Sequence, residues 1–149
     1  MTRSFFSILL LVFVFAATSC SQEEIITIDS SLPNGQLSVQ RTGNLVAENS
    51  TPTTGVVELG VDDDNENFLR FGTDFTTELA TGTVSVYFST SEVFTADPAN
   101  GNPDLLQVGS IRGNGEQFFK LDAPVPSNFT HVILWCNTAS IPFGNAQLQ

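Results

Sequence analysis

Short runs of β-favouring residues follow one another along most of the chain, and turn residues separate nearly all of them. In the run TVSVYFS (83–89), every second residue is apolar. A period of two is that of a strand, because successive side chains point to opposite faces of a sheet. The alternation predicts that Val84, Val86 and Phe88 face a core, while the intervening residues face water. The other runs are QLSV, NLVAEN, TGVVELGV, NFLRFGT, LLQVGSI, EQFFKL, THVILWC and IPFG.

The spacing of these runs indicates the fold class. They recur about every 8–12 residues, and no amphipathic helical stretch lies between them. This arrangement is typical of an antiparallel β-sandwich or β-barrel. We therefore predict one all-β domain over residues 36–149, built from about eight to ten short strands.

Two of the predicted connections stand out. The segment DDDNEN (62–67) gathers four acidic residues and two asparagines, which are possible calcium ligands. It lacks the glycine and the ligand spacing of an EF-hand loop, so we interpret it as a solvated hairpin turn. The segment TSEVFTADPANGNPD (90–104) is rich in Pro, Gly, Asn and Asp, and loops of this length are often functional or mobile.

The N-terminus, MTRSFFSILLLVFVFAATSC, has the layout of an export signal, with one basic residue, an apolar stretch (5–17) and then small residues. The apolar stretch is shorter than the ~20 residues that span a bilayer. Residues 17–20 resemble the lipobox of bacterial lipoproteins, which implies lipid on Cys20. We predict a lipoprotein signal peptide over 1–19 and a tether over 20–35. The alternative is an ordinary cleaved signal with an incidental cysteine.

Lipidation and net charge limit which partners and which location we expect. Several acyl chains on one cysteine hold a protein on a membrane that it does not cross. The sequence SQEE after Cys20 resembles the surface-export signals of some Gram-negative lipoproteins, so we expect an outer-membrane lipoprotein of the cell envelope, displayed at the surface. Without Arg3, four Lys and Arg stand against sixteen Asp and Glu, a net charge of 4 − 16 = −12. Nucleic acid is therefore an unsuitable partner.

The chain contains two cysteines, so a lipidated Cys20 leaves Cys136 without a partner. Strand geometry puts His131 and Trp135 on one face of their run and Cys136 on the other. The pair that a Cys–His nucleophile needs is thus separated, and we do not expect an enzyme of this kind. Blue-copper and structural zinc sites need more His and Cys ligands than the chain offers, so we expect no metal site. The same count does not exclude a haem site, because a single axial Cys or His can hold the haem iron.

Two interpretations of Cys136 follow from the residues. A free cysteine is often a small core hydrophobe, and a thiol in apolar surroundings has a raised pKa and reacts slowly. Alternatively, Cys136 is a redox thiol or a ligand. Trp135 is, by the same reasoning, either a core or rim residue or part of a cofactor site.

The segment THVILWCNTASIPFGNAQL (130–148) resembles the C-terminal signature of the DM13 domain, a DOMON-associated domain proposed for electron transfer. The resemblance extends over about residues 41–148. It implies an all-β fold in which Cys136 acts in redox chemistry, as a bare thiol or by holding a group such as haem. Two places depart from the family pattern: Ala139 stands where an aromatic residue is usual, and ATGTVSV (80–86) replaces a Gly-Pro-Asp-Leu type of turn. The signature falls on Trp135, Cys136, Phe143, Gly144, Ala146 and Leu148.

Two functional hypotheses result. The first is a membrane-anchored, extracytoplasmic electron-transfer module that works through the single thiol of Cys136, with an unidentified redox partner. The second is a non-catalytic surface-binding or envelope-structural module, in which Cys136 is a buried structural residue.

Overall fold

The computed structural model describes residues 31–95 and 101–149. The predicted signal peptide, Cys20 and the first part of the predicted tether lie outside these residues. The described part of the chain forms nine strands and no helix, so it holds no helix that is long and apolar enough to span a membrane. The strands are β1 (Ser38–Asn44), β2 (Val46–Ala47), β3 (Val56–Val61), β4 (Asn67–Phe71), β5 (Val84–Ser89), β6 (Leu105–Ser110), β7 (Gln117–Leu121), β8 (His131–Cys136) and β9 (Ile141–Gln147).

The strands form two antiparallel sheets in one domain. The four-stranded sheet has the order β1-β3-β4-β7, and the five-stranded sheet has the order β2-β9-β8-β5-β6. Leu45, which lies between β1 and β2, is buried where the chain passes from one sheet to the other. The prediction of an all-β antiparallel fold is confirmed, and the architecture is that of a sandwich.

The core fills the space between the two sheets. Its members come from the inward faces of the strands and from the connections that cross the ends of the sandwich. Val84, Val86 and Phe88 belong to it, so the prediction for the inward face of β5 is confirmed. The large, fully buried side chains include Phe71, Phe75, Phe88, Phe143 and Leu134.

The prediction of a wet outer face on β5 is wrong. Ser85 and Ser89 point away from the core, yet each is only 1% exposed. The Ser85 hydroxyl accepts a hydrogen bond from the Asn137 side chain, and the Ser89 hydroxyl accepts one from the Ser91 backbone. Phe94, from the loop after β5, lies over the outer face of the same sheet. Contacts with this loop and with the turn after β8 therefore cover positions that the alternation assigns to water.

The predicted hairpin turn at 62–67 joins β3 to β4, and it also holds the N-terminal segment in place. Asp62 accepts hydrogen bonds from the backbone nitrogens of Asn34, Asp64 and Glu66 at 2.8–2.9 Å. The Asn34 backbone carbonyl in turn accepts one from the Asp63 nitrogen, 3.0 Å away. Asn34, near the end of the predicted tether, is thus attached to the domain.

Candidate functional site

Cys136 is the last residue of β8, the central strand of the five-stranded sheet. It pairs with Val84 at the start of β5 and with Ile141 at the start of β9. Residues 137–140, of which three are polar, form the turn from β8 to β9. The turn closes through a 2.9 Å hydrogen bond from the Ser140 nitrogen to the Cys136 carbonyl, and Ser140 has a φ of 55°. The hairpin therefore fixes the position of the cysteine at one end of the sandwich.

The Cys136 side chain is completely buried, yet its sulfur lies directly beneath exposed residues. It packs in the hydrophobic core and forms no disulfide in the described part of the chain. The Thr81 hydroxyl oxygen lies 3.6 Å from Sγ, and the Ala139 backbone nitrogen lies 3.4 Å from it. Both Thr81 and Ala139 are themselves exposed. One layer of residues thus separates the thiol from solvent.

The surroundings of Cys136 lower the pKa of its thiol. Burial alone raises this pKa, because it penalises the charged thiolate. Hydrogen bonds from the Ala139 backbone, the Thr81 side chain and the Thr138 backbone act in the opposite direction and outweigh it. The expectation of a raised pKa for a buried thiol is therefore wrong for this cysteine, because polar donors stand on one side of the sulfur.

Gly82 allows the segment before β5 to approach the turn after β8. Its φ is +114°, a backbone angle that residues with a side chain rarely adopt. A Cβ at this position would lie 2.3 Å from the Thr138 hydroxyl oxygen, inside any normal contact distance. The close approach sets Thr81 beside the sulfur.

Trp135 does not share a site with the Cys136 sulfur, because the two side chains lie on opposite faces of β8. The Trp135 ring stacks on Phe94 with a centroid distance of 4.0 Å and an interplanar angle of 21°. Phe94 also contacts Tyr87 at a centroid distance of 5.0 Å. Trp135 is therefore a rim residue of an aromatic cluster on the outer face of the five-stranded sheet.

His131 and Cys136 are the first and last residues of β8, and the strand places them on opposite faces, as the period of two predicted. His131 Nδ1 is 2.9 Å from the Thr130 hydroxyl oxygen. The described residues contain no group of three or more His, Cys, Asp or Glu side chains that is arranged to hold a metal ion. A haem also does not fit at Cys136, because an axial ligand needs an open face beside its sulfur, and this sulfur is enclosed by core side chains and a tight hairpin.

Sequence reasoning missed Thr81 and Phe94 as neighbours of the predicted site residues. Thr81 lies 55 residues before Cys136, and a threonine in a turn gives no sign of such a contact. Both departures from the family pattern do, however, fall at the sulfur: Ala139 donates its backbone N–H to it, and Thr81 belongs to the segment ATGTVSV.

Fold and site together define a class of protein: a β-sandwich domain with a buried, hydrogen-bonded thiol at the end of its central strand. A family model described as Electron transfer DM13 matches residues 45–148, well over half of the chain. The chain belongs to the DM13 family. No curated protein and no solved structure matches it.

Proposed function

We propose that this chain is an extracytoplasmic redox module, held at a membrane by lipid on Cys20, in which the Cys136 thiol exchanges electrons with a partner. The observation that carries the proposal is the set of hydrogen bonds to the Cys136 sulfur, which lowers the pKa of the thiol in a member of an electron-transfer family. A lower pKa increases the thiolate fraction at neutral pH, and the thiolate is the reactive form.

Thiol–disulfide exchange is a redox reaction that a lone thiol can perform without a bound cofactor. The Cys136 thiolate attacks one sulfur of a partner's disulfide, and a mixed disulfide forms. The other partner sulfur leaves as a thiolate and is the atom that is reduced, while the Cys136 sulfur is oxidised and takes its place in the disulfide. The Thr81 and Ala139 donors that stabilise the charged sulfur act before the attack.

Access to Cys136 requires a local opening at the end of the sandwich. The residues that cover the sulfur belong to the turn 137–140 and to the segment before β5, and residues 137–140 are all exposed. Segments of this kind, with few buried apolar contacts, open at a small fraction of the cost of global unfolding. The thiolate therefore forms in the closed state, where the hydrogen bonds stabilise it, and a partner reaches it when the cover moves.

The path of the chain supports anchoring at the end of the sandwich opposite Cys136. The N-terminal segment joins the domain at the β3–β4 turn, through Asn34 and Asp62. Cys136 lies at the other end of the strands, beside the connection from β4 to β5. Strands of five or six residues separate these ends by about 17–20 Å. With lipid on Cys20 in the outer membrane and display at the cell surface, the thiol meets partners away from the bilayer.

The reactivity of Cys136 in the folded protein tests the proposal. In a full-length Cys20→Ser variant, Cys136 is the only thiol, since the chain has two cysteines. Reduced, folded protein should react with dipyridyl disulfide in a 1:1 ratio, and mass mapping should place the adduct on Cys136. A Cys20→Ser/Cys136→Ser double variant is the matched control and should not react. A thiol that reacts only after unfolding in denaturant would refute the redox function.

The complete burial of Cys136 favours a second candidate function, a non-catalytic surface-binding or envelope-structural module with a structural cysteine. Replacing a packed core group costs stability, by about 1 kcal/mol or more. In this case Cys136→Ala should lower the free energy of unfolding and leave partner binding unchanged. In the redox case, the same variant loses electron exchange with a disulfide partner even under conditions where it is fully folded.

A further inference from the structure

A groove of about 300 Å³ lies on the outer face of the four-stranded sheet, away from Cys136. One wall is the N-terminal segment over residues 33–37, and the other side is formed by side chains of β3, β4 and β7 together with Glu116. Its volume is at the lower end of the range for small-molecule sites. The groove therefore has the dimensions of a site for a small ligand.

A mixed row of charged and aromatic side chains forms the floor of this groove. Strand register places Glu58 opposite Arg70 and Arg70 opposite Phe118, so the three side chains stand on neighbouring strands. Arg70 Nη1 lies 2.6 Å from Glu58, and its Nε and Nη2 lie 2.9 and 2.7 Å from Glu116. The guanidinium thus fixes two carboxylates, and Phe118 presents an apolar surface beside them.

The opposite wall is held in place by contacts with the domain. Asn34 is bound to the β3–β4 turn through its backbone nitrogen, its backbone carbonyl and its side-chain amide. Leu37 lies over Gly60, where a Cβ would come within 2.8 Å of its Cδ2 atom. The segment therefore stands at a fixed distance from the charged row.

The chemistry of the row selects the class of ligand. Arg70 is already paired with Glu58 and Glu116, so a charged ligand of either sign would have to displace one of these ion pairs to gain a partner of its own. Hydroxyl groups donate to carboxylates and accept from a guanidinium, and an aromatic ring covers the apolar face of a ring of carbons. We propose that this groove binds a neutral saccharide, an activity separate from the Cys136 thiol.

A glycan array followed by calorimetric titration tests the proposal with the full-length protein. The array should carry neutral hexose and N-acetylhexosamine oligosaccharides, together with uronic-acid and amino-sugar oligosaccharides. Neutral oligosaccharides should be bound, and titration with a bound one should give a single site per chain. Failure to bind any glycan, or binding of charged glycans alone, would overturn the proposal.

Variants locate the bound saccharide. Glu116→Gln keeps the shape of the side chain and removes a charged acceptor, so it should weaken binding about tenfold. Phe118→Ala removes the apolar surface and should abolish detectable binding. If Phe118→Ala does not fold, the affinity of Glu116→Gln decides the test. Glu92→Gln, in the exposed loop after β5 and outside the groove, is the control and should bind as the wild type does. Unchanged affinity in Glu116→Gln and in a folded Phe118 variant would place the saccharide elsewhere and refute this site.

Discussion

The sulfur of Cys136 receives hydrogen bonds from two separate segments. Thr138 and Ala139 offer backbone N–H groups from the turn that follows the cysteine, and Thr81 offers its hydroxyl from the segment before β5. The backbone donors depend on the conformation of the turn. The Thr81 hydroxyl can be removed alone, so a substitution at Thr81 measures how much one donor contributes to the reactivity of the thiol.

We predict that Thr81→Val raises the pKa of the Cys136 thiol. The hydroxyl is one of the groups that lower this pKa, and its loss leaves the desolvation of the thiolate less well balanced. The pH profile of iodoacetamide alkylation at Cys136, in the Cys20→Ser background, should move to higher pH. Thr83→Val is the matched control, because Thr83 contacts Asn137 through its backbone carbonyl, which the substitution leaves in place. An unchanged profile in Thr81→Val would show that the hydroxyl does not act on the sulfur.

At the scale of elements, the alternation of side chains predicted the strands but not what covers them. A period of two decides which residues of β5 face the core, and Val84, Val86 and Phe88 do so. It does not report the outer face, because a loop distant in sequence can bury that face as well. Ser85 and Trp135 show this difference: the pattern is local, whereas Asn137 contacts Ser85 and Phe94 stacks on Trp135 across long separations in the chain.

The site was predictable in part for the same physical reason. Cys136 stood out because of its position at the end of an apolar run, and strand periodicity correctly separated it from His131. Its hydrogen bond with Thr81 was not predictable, since it joins residues 55 positions apart across the end of the sandwich. The direction of the pKa shift depends on such contacts, which is why burial alone gave the wrong sign.

The β3–β4 turn gives a prediction about pH. A hydrogen bond from the Asn34 backbone has the largest effect on the pKa of Asp62 and lowers it; burial acts in the opposite direction, and weaker hydrogen bonds from the Glu66 and Asp64 backbones lower the pKa further. A carboxyl with a lowered pKa in the folded state stabilises the fold above its unfolded pKa, and this contribution is lost as pH falls through the folded pKa. We expect Asp62→Asn to lower the free energy of unfolding at neutral pH and to converge with the wild type in acid.

Denaturant unfolding of the wild type, Asp62→Asn and Asp122→Asn across the acidic range measures this effect. Asp122 is an exposed residue just after β7 and serves as the control for a general loss of negative charge. Equal stability of Asp62→Asn and the wild type at neutral pH would mean that the turn does not depend on the carboxylate.

At the scale of the whole molecule, the two outer faces of the sandwich are covered by different segments. The N-terminal segment crosses the four-stranded sheet, where Leu37 lies over Gly60. The loop after β5 covers the five-stranded sheet through Phe94. The thiol lies at the end of the sandwich opposite the β3–β4 turn, so the proposed anchor, the proposed saccharide groove and the proposed redox group occupy separate parts of one small domain.

The apparent pKa of the Cys136 thiol in the folded protein tests the central claim most directly. It can be measured from the thiolate absorbance of the Cys20→Ser chain during a pH titration, with the Cys20→Ser/Cys136→Ser chain as the blank, and compared with the same chain in denaturant. The account predicts a lower pKa in the folded protein than in the unfolded chain. A folded-state pKa equal to the unfolded value, or above it, would contradict the account and leave Cys136 as a core side chain.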